Sequence, residues 1–168
     1  MNMFQIVDFL KSWEIESAAT QKLLNQLTDE SLPQEVTPQN WTLGRIAWHT
    51  VTAIGIAASR IGLSIDVPTN DYPVPSSAEF ISNHYQQASD ALVQAVKTQF
   101  ADKNLEEELD VYGQKITKGE LLIFLIQHQI HHRGQMTILM RQAGLSVPGL
   151  YGPSKEEWTE MGMETPKM

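Results

Sequence analysis

Apolar residues recur at intervals of three and four in four long segments of the chain, which is the spacing of one face of an α-helix. The segments predicted to be helices cover roughly residues 2–28, 42–61, 77–100 and 118–142. The motifs Ser76-Ser-Ala-Glu79 and Thr117-Lys-Gly-Glu120 are capping boxes, and they predict where the third and fourth helices begin. Four helices of this length, joined by connections rich in proline and turn-forming residues, predict an all-α four-helix bundle.

Two further elements are predicted around the last long helix. Between Asn104 and Thr117 a glycine stands among β-prone residues, which predicts a short hairpin or an extended loop. After Gly144 the tail contains three prolines and a segment typical of a short helix capped by Ser154. A length of 168 residues predicts one domain that spans residues 1–168.

Composition narrows the function classes. The chain has no cysteine, which excludes disulfides, thiolate zinc sites and a cysteine nucleophile, so a metal would be held by His, Asp or Glu. The formal charge of -8 argues against a nucleic-acid partner, since phosphate binding needs a basic surface. The first residues lack the pattern of a signal peptide, and no apolar run approaches the ~20 residues of a membrane span. These features predict a soluble cytoplasmic protein that is not bound to membranes.

Three of the five histidines occupy predicted inward positions. His128 and His132 lie four residues apart on the fourth helix, close enough to reach one ion, and Gln135 continues the same face. His49 takes an inward position on the second helix. An unsatisfied buried polar group costs about 1–3 kcal/mol, so these residues need partners. Two interpretations follow: a hydrogen-bonded core cluster, or a metal site in which three neutral nitrogens leave one coordination position open.

Several neighbours leave alternatives open. His131 is three residues from His128, which makes it a rival partner for that histidine, or else a residue outside the ligand set. His84, beside the inward face of the third helix, and Glu16 are candidates for a fourth ligand. Two roles are open for Gln135: it orients a ligand, or it forms a hydrogen bond that closes the bundle. Two locations are open for three tryptophans, the mouth of a pocket or the core: Trp13, Trp41 and Trp48.

Other metal motifs are absent from the sequence. In His-Glu-x-x-His metallopeptidases a glutamate follows the first ligand as general base, whereas Gln127 and Gln129 flank His128 here. The inward glutamates of di-iron bundles are missing as well. The sequence therefore disfavours a peptidase and identifies no residue for proton transfer.

The histidine segments resemble those of a known family. Trp41-Thr-Leu-Gly-Arg-Ile-Ala-Trp-His49 and His128-Gln-Ile-His-His132-Arg-Gly-Gln135 are similar to the two ligand segments of the DinB family, the DinB/YfiT-like metalloenzymes. The segments Gly113-Gln-Lys-Ile-Thr117 and Val147-Pro-Gly-Leu-Tyr-Gly152 fit the same family. The resemblance covers essentially the whole chain.

The resemblance implies a fold, a metal site and a class of chemistry. It implies up-down-down-up helix topology and a homodimer. For such a dimer we expect the exposed faces of the first and fourth helices to be the contacts. It also implies one divalent ion per chain, zinc, nickel or manganese, held by His49, His128 and His132. Characterised relatives include S-transferases and isomerases that use small cytosolic thiols such as bacillithiol, mycothiol or glutathione, and some members were named for their induction by DNA damage.

Three functional hypotheses result. In the leading one, a metal-dependent enzyme transfers a low-molecular-weight thiol to an electrophile, as in detoxification; a bound ion converts a thiol to a thiolate and so removes the need for a protein base. The second is a metal-dependent hydrolase that uses bound hydroxide. The third is a non-catalytic stress-response protein whose metal is structural or sensory.

Overall fold

Five α-helices and one β-hairpin form the computed structural model, which describes residues 4–164 and 166. The four long helices are α1 (Ile6–Leu24), α2 (Leu43–Ile61), α3 (Ala78–Gln99) and α4 (Lys118–Gln142), and α5 (Lys155–Glu160) is a short helix of the tail. Strands β1 (Glu108–Val111) and β2 (Gln114–Thr117) pair in antiparallel orientation. The predicted four-helix bundle, with a hairpin before its fourth long helix, is confirmed. None of these helices combines the length and the apolar composition that a membrane span requires.

Contacts near the helix ends give the direction of each helix. The rings of Trp48 and Phe80 meet, so α2 and α3 begin at the same end of the bundle and run parallel. Gln21, late in α1, donates a hydrogen bond to Ser82, early in α3, so these two helices are antiparallel. Phe4 lies against the first turn of α4, and α4 therefore runs in the same direction as α1. The topology is up-down-down-up.

The apolar core collects side chains from all four long helices. On α1 the buried face includes Trp13, Thr20 and Leu24, and the fully buried Phe9 ring stacks on Trp13. Ile6 and Leu10, which continue the three-and-four spacing toward the start of the helix, are only partly buried and pack at the rim of the core. Helix α1 also ends at Leu24, four residues before the predicted end.

The buried face of α4 includes three polar side chains, Gln129, His132 and Arg133. Gln129 is fully buried and donates to a backbone carbonyl of α2 at 2.9 Å. Arg133 donates to both the carboxylate and the backbone carbonyl of Glu16 on α1. Gln135, which the apolar pattern placed on this face, is exposed. The spacing of apolar residues gave the wrong burial for Gln135. The polar residues on the buried face are instead Gln129 and Arg133, whose hydrogen bonds make their burial possible.

Capping residues fix the starts of three helices. Thr117 and Glu120 form the predicted capping box of α4, and Ser154 caps α5 as predicted. Helix α3 is capped by Ser77, one residue later than the predicted Ser76. The Ser77 hydroxyl accepts a hydrogen bond from the backbone N–H of Phe80 in the first turn.

Candidate metal centre

His49 of α2 and His128 and His132 of α4 come together between the two helices. The Nε2 atom of His128 lies 3.1 Å from that of His132 and 3.4 Å from that of His49. Their possible ligand atoms all lie within 4.8 Å of one another, and among the described residues this group includes no carboxylate and no fourth histidine. His132 is buried, and the other two are half-buried. The structure therefore assembles the three histidines that the sequence selected.

The second ring nitrogen of two histidines is already engaged. Nδ1–H of His49 donates to both carboxylate oxygens of Asp71, each at 3.1 Å. Nδ1–H of His132 donates to Oε1 of Gln135 at 2.7 Å. In a neutral imidazole one nitrogen carries the proton and the other carries a lone pair. Both Nε2 atoms are therefore lone-pair acceptors that point toward His128.

A metal ion fits this arrangement better than hydrogen bonds do. His128 Nε2 has at most one hydrogen to donate, whereas His49 and His132 each present a lone pair. With metal–nitrogen bonds of about 2.1 Å, two ligand nitrogens lie about 3.4 Å apart in a tetrahedron and about 3.0 Å apart in an octahedron. The observed separations of 3.4 Å and 3.1 Å match these values. Three nitrogens without a fourth ligand would leave a coordination position open.

Burial lowers the pKa of both histidines of α4. Burial, helped by the neighbouring His132 and His49, lowers the pKa of His128 to about 4. Burial also lowers the pKa of His132, although the hydrogen bond to Gln135 acts in the opposite direction. Both rings are therefore neutral near pH 7, and protons do not compete with a cation for their lone pairs.

Asp71 orients His49 and is a functional residue that the sequence did not reveal. Besides His49 it accepts hydrogen bonds from the Thr52 hydroxyl and, at 2.8 Å, from Arg45. Burial raises the pKa of the Asp71 carboxyl, but the hydrogen bonds from Thr52, His49 and Arg45 outweigh burial and hold the pKa below its usual range. An ionised carboxylate behind a ligand histidine fixes its tautomer and raises its basicity.

The loop after α2 delivers Asp71 to the site. This loop packs closely on the helix at Gly55, where a Cβ would lie 2.5 Å from the carbonyl oxygen of Pro68. The indole of Trp48 donates to the carbonyl of Asn70 at 3.1 Å, next to the aspartate. These contacts bring together residues of α2 and a proline-rich loop that has no periodic pattern. No sequence signal distinguished Asp71 from other loop acids.

Trp41 covers one side of the histidine group. Its ring lies nearly parallel to that of His132, with centroids 6.2 Å apart, and edge-on to that of His49 at 5.3 Å. It is 46% exposed, so it lies at the mouth of the site. The other two tryptophans for which the sequence left core and pocket open are core residues, Trp13 and Trp48.

The remaining candidates lie outside the group. His131 is exposed to solvent on the outer side of α4. His84 donates from Nδ1 to a carbonyl of its own helix at 2.9 Å. Glu16 forms an ion pair with Arg133 and accepts a hydrogen bond from Tyr151. Neither of the suggested fourth ligands, His84 or Glu16, therefore belongs to the group.

An apolar cleft opens on the histidine group between α2 and α4. Its volume is 360 Å³, within the range of about 300–1,000 Å³ that is usual for small-molecule sites. Its walls are six apolar side chains, Ala53, Ile56, Ala57, Leu121, Phe124 and Leu125. A larger groove of 650 Å³ between α1 and α3 includes none of the histidines. Of these two openings, the smaller one is lined by His49 and His128.

Comparison with known proteins gives a consistent family. The family model for the DinB family matches residues 1–168. The chain is 66% identical over 167 residues to protein YrdA of Bacillus subtilis (strain 168), a match that covers 99% of this chain and 100% of that protein. A solved DinB-like protein from Bacillus cereus ATCC 10987 matches with a TM-score of 0.85 at 51% identity, over 89% of this chain and 100% of that one. The DinB-like protein YjoA of B. subtilis shares the fold, with a TM-score of 0.64 at 17% identity over 86% and 97% of the two chains. The chain therefore belongs to the DinB family.

Proposed function

We propose that this protein is a metal-dependent enzyme that joins a low-molecular-weight thiol to an electrophile. The observation that carries the proposal is the convergence of three Nε2 atoms on one point beside an apolar cleft. A site with three protein ligands and an open position is typical of catalysis, whereas structural metal sites are closed by four. A structural or sensory metal would need a fourth side chain, and the described residues place none in the group.

His49, His128 and His132 would hold the ion, and imidazole nitrogens suit zinc, nickel and manganese in different degrees. A divalent ion at this position would lower the pKa of a thiol in its open coordination position and would thereby supply a thiolate nucleophile. In the overall reaction the thiol proton passes to solvent and a sulfur–carbon bond forms. The leaving group of the electrophile departs with the bonding electron pair.

The protein residues orient and shield the reaction. Asp71 and Gln135 hold two of the rings so that Nε2 faces the reaction centre. Trp41 and the apolar walls of the cleft exclude water from the nucleophile, which strengthens electrostatic interactions inside the site. The thiol route also suits a site without a free general base, because Asp71 already accepts hydrogen bonds from three side chains. A hydroxide route would involve a larger pKa change at the metal, because free water has a much higher pKa than a thiol.

The test is metal analysis followed by a transfer assay. We expect about one zinc, nickel or manganese ion per chain, and its loss in the variants His49→Ala and His132→Ala. His131→Ala is the matched control, since it removes an exposed histidine from the same turn of α4. The metal-loaded protein should conjugate glutathione or bacillithiol to members of an electrophile panel. Failure to bind any metal would refute the proposal, and metal-dependent turnover without thiol would replace it with hydrolysis.

We also propose that the protein is a cytoplasmic homodimer, since its thiol cosubstrate would be cytosolic. The outer faces of α1 and α4 carry exposed apolar residues, among them Ile15 at 60% and Ile138 at 58% exposure. Burial of such side chains against a second copy would stabilise a dimer at about 25 cal/mol per Å². Light scattering should give a particle mass of twice the chain mass. In the double variant Ile15→Lys with Ile138→Lys the measured mass should fall to that of a single chain.

A further inference from the structure

The cleft beside the histidines continues in one direction along both of its helices. His49 and three apolar wall residues share one face of α2 with Arg60, eleven positions after the histidine. Helix α4 runs antiparallel, so its wall residues lead from His128 back toward its own start. The cleft therefore has two different ends: the histidine group at one, and Arg60 with Tyr112 at the other.

Arg60 gives the far end of the cleft a positive charge. Among the described residues it makes no ion pair with a carboxylate, although the chain has a net charge of -8. Its guanidinium is held in place by Tyr112, whose hydroxyl accepts a hydrogen bond at 2.7 Å and whose ring centroid lies 4.8 Å away. A positioned cation at the end of an apolar cleft is complementary to an apolar ligand that ends in an anion.

Tyr112 is an unusual residue for its backbone position. It is the first residue of the two-residue turn between β1 and β2, with φ of 54°, followed by Gly113 with φ of 81°. Asn, Asp and Gly are preferred at the first position of such turns, because other side chains rarely adopt positive φ. The ring is 88% exposed, so burial does not account for it. The contact that its side chain makes is with Arg60.

The distance between the two ends defines the length of the ligand. Eleven residues of α-helix span about 16 Å, and the side chains at both ends lean in the same direction, so their separation stays similar. A metal–sulfur bond of about 2.3 Å and a carboxylate–guanidinium contact of about 4 Å leave roughly 10 Å. An extended alkyl chain advances about 1.25 Å per carbon, given C–C bonds of about 1.5 Å. The gap therefore holds about eight carbons.

We propose that the electrophile is a medium-chain aliphatic compound with a leaving group at one end and a carboxylate at the other. At the histidine group the thiolate sulfur bonds to the carbon from which the leaving group departs with its electron pair, and the carboxylate pairs with Arg60. This inference rests on the proposed function and specifies its second substrate. The apolar walls fit an alkyl chain better than a polar low-molecular-weight thiol, whose body is left to the side of the site covered by Trp41. Product formation would leave sulfur attached to the chain, so a mercaptoalkanoic acid reproduces the part of the product that occupies the cleft.

The test is a binding series on cobalt-loaded protein, read from the sulfur-to-cobalt charge-transfer absorption. Mercaptopropionate, mercaptohexanoate, mercaptooctanoate and mercaptoundecanoate are titrated beside the methyl ester of mercaptooctanoate. Each methylene that enters the cleft should tighten Kd by up to about fourfold. Affinity should level off near eight carbons. The free carboxylate should bind about twofold to fivefold tighter than the ester, as expected for an exposed ion pair.

The variants Arg60→Gln and Tyr112→Phe should reduce this preference for the carboxylate over the ester. Lys97→Gln is the matched control, because it removes one exposed positive charge from α3 outside the cleft. Retention of the preference in Arg60→Gln, or the absence of a chain-length dependence, would overturn the inference. An equal loss of glutathione binding in Arg60→Gln would do so too, since it would assign Arg60 to the thiol. Absence of the absorption band with every thiol would instead refute the proposed function.

Discussion

Replacement of Asp71 by Asn isolates the role of the carboxylate behind His49. The substitution keeps the shape of the side chain and removes its charge. An amide has one acceptor oxygen and an NH₂ group, so it cannot accept all the hydrogen bonds that reach Asp71. Those bonds come from three side chains, His49, Thr52 and Arg45. We expect His49 to lose its fixed orientation and part of its basicity.

Two quantities should change. Loss of a partner behind a metal ligand typically weakens metal binding by about 10-fold to 100-fold, which corresponds to about 1.4–2.7 kcal/mol. The metal-free protein should also lose stability, because the Arg45 side chain is only 10% exposed and loses its counter-ion. A hydrogen bond to a charged group contributes about 1.5–3 kcal/mol, and we expect a loss of unfolding free energy in this range.

Competition with a chromophoric chelator measures the first quantity, and urea unfolding of the metal-free protein measures the second. Asp66→Asn is the matched control, since it removes one exposed charge from the same loop. Thr52→Val removes one donor to Asp71 and should have a smaller effect on metal affinity. If Asp71→Asn binds zinc as tightly as Asp66→Asn does, the carboxylate does not support the site and the reasoning is refuted.

Three other predictions concern stability. The pKa of His128 is lowered to about 4, so between about pH 6.5 and pH 4 the unfolded chain binds more protons than the folded protein does. Urea titrations should therefore show that the metal-free protein loses stability as pH falls through this window. An equal loss of stability in His128→Gln would contradict the assignment to His128. Arg133→Met leaves Glu16 with Tyr151 but without its cation and should cost about 3–5 kcal/mol in urea unfolding. The double variant with Glu16→Gln should restore part of this loss, and additive losses would argue against the pair. Gly55→Ala forces a Cβ against the loop backbone and should destabilise by about 1–3 kcal/mol in thermal unfolding, whereas Gly134→Ala, with open space around it, should be neutral or stabilising; equal melting temperatures would show that the loop yields.

The long helices and the hairpin were predictable because local chemistry determines them. The ends of α4 follow from the Thr117–Glu120 capping box and from the glycine after its last turn, and the hairpin follows from one glycine between β-prone residues. The histidine group was predictable for a related reason: spacing on a helix places His128 and His132 on adjacent turns. His49 needed only an inward position on a helix that packs against them.

Residues whose role depends on tertiary contacts were not predictable. Asp71 is one acid in an aperiodic loop, and only the packing of that loop on α2 brings it to His49. Gln129 and Arg133 lie off the face that the spacing of His128, His132 and Gln135 selected, and hydrogen bonds allow their burial. The same spacing placed Gln135 on the buried face, whereas the structure leaves it exposed. Patterns of hydrophobicity do not register polar groups that are buried with partners.

Metal binding at the histidine group would also couple folding to metal supply. His49 and His128 are 79 residues apart in sequence, and closing a loop of about 80 residues costs the unfolded chain about 4.5 kcal/mol of entropy. The complete ligand set therefore exists only in the folded state, and an ion that binds it stabilises that state alone. At a free metal concentration 100 times Kd the gain is about 2.7 kcal/mol. Since proteases degrade the unfolded chain, the amount of this protein in a cell should rise and fall with the metal available to it.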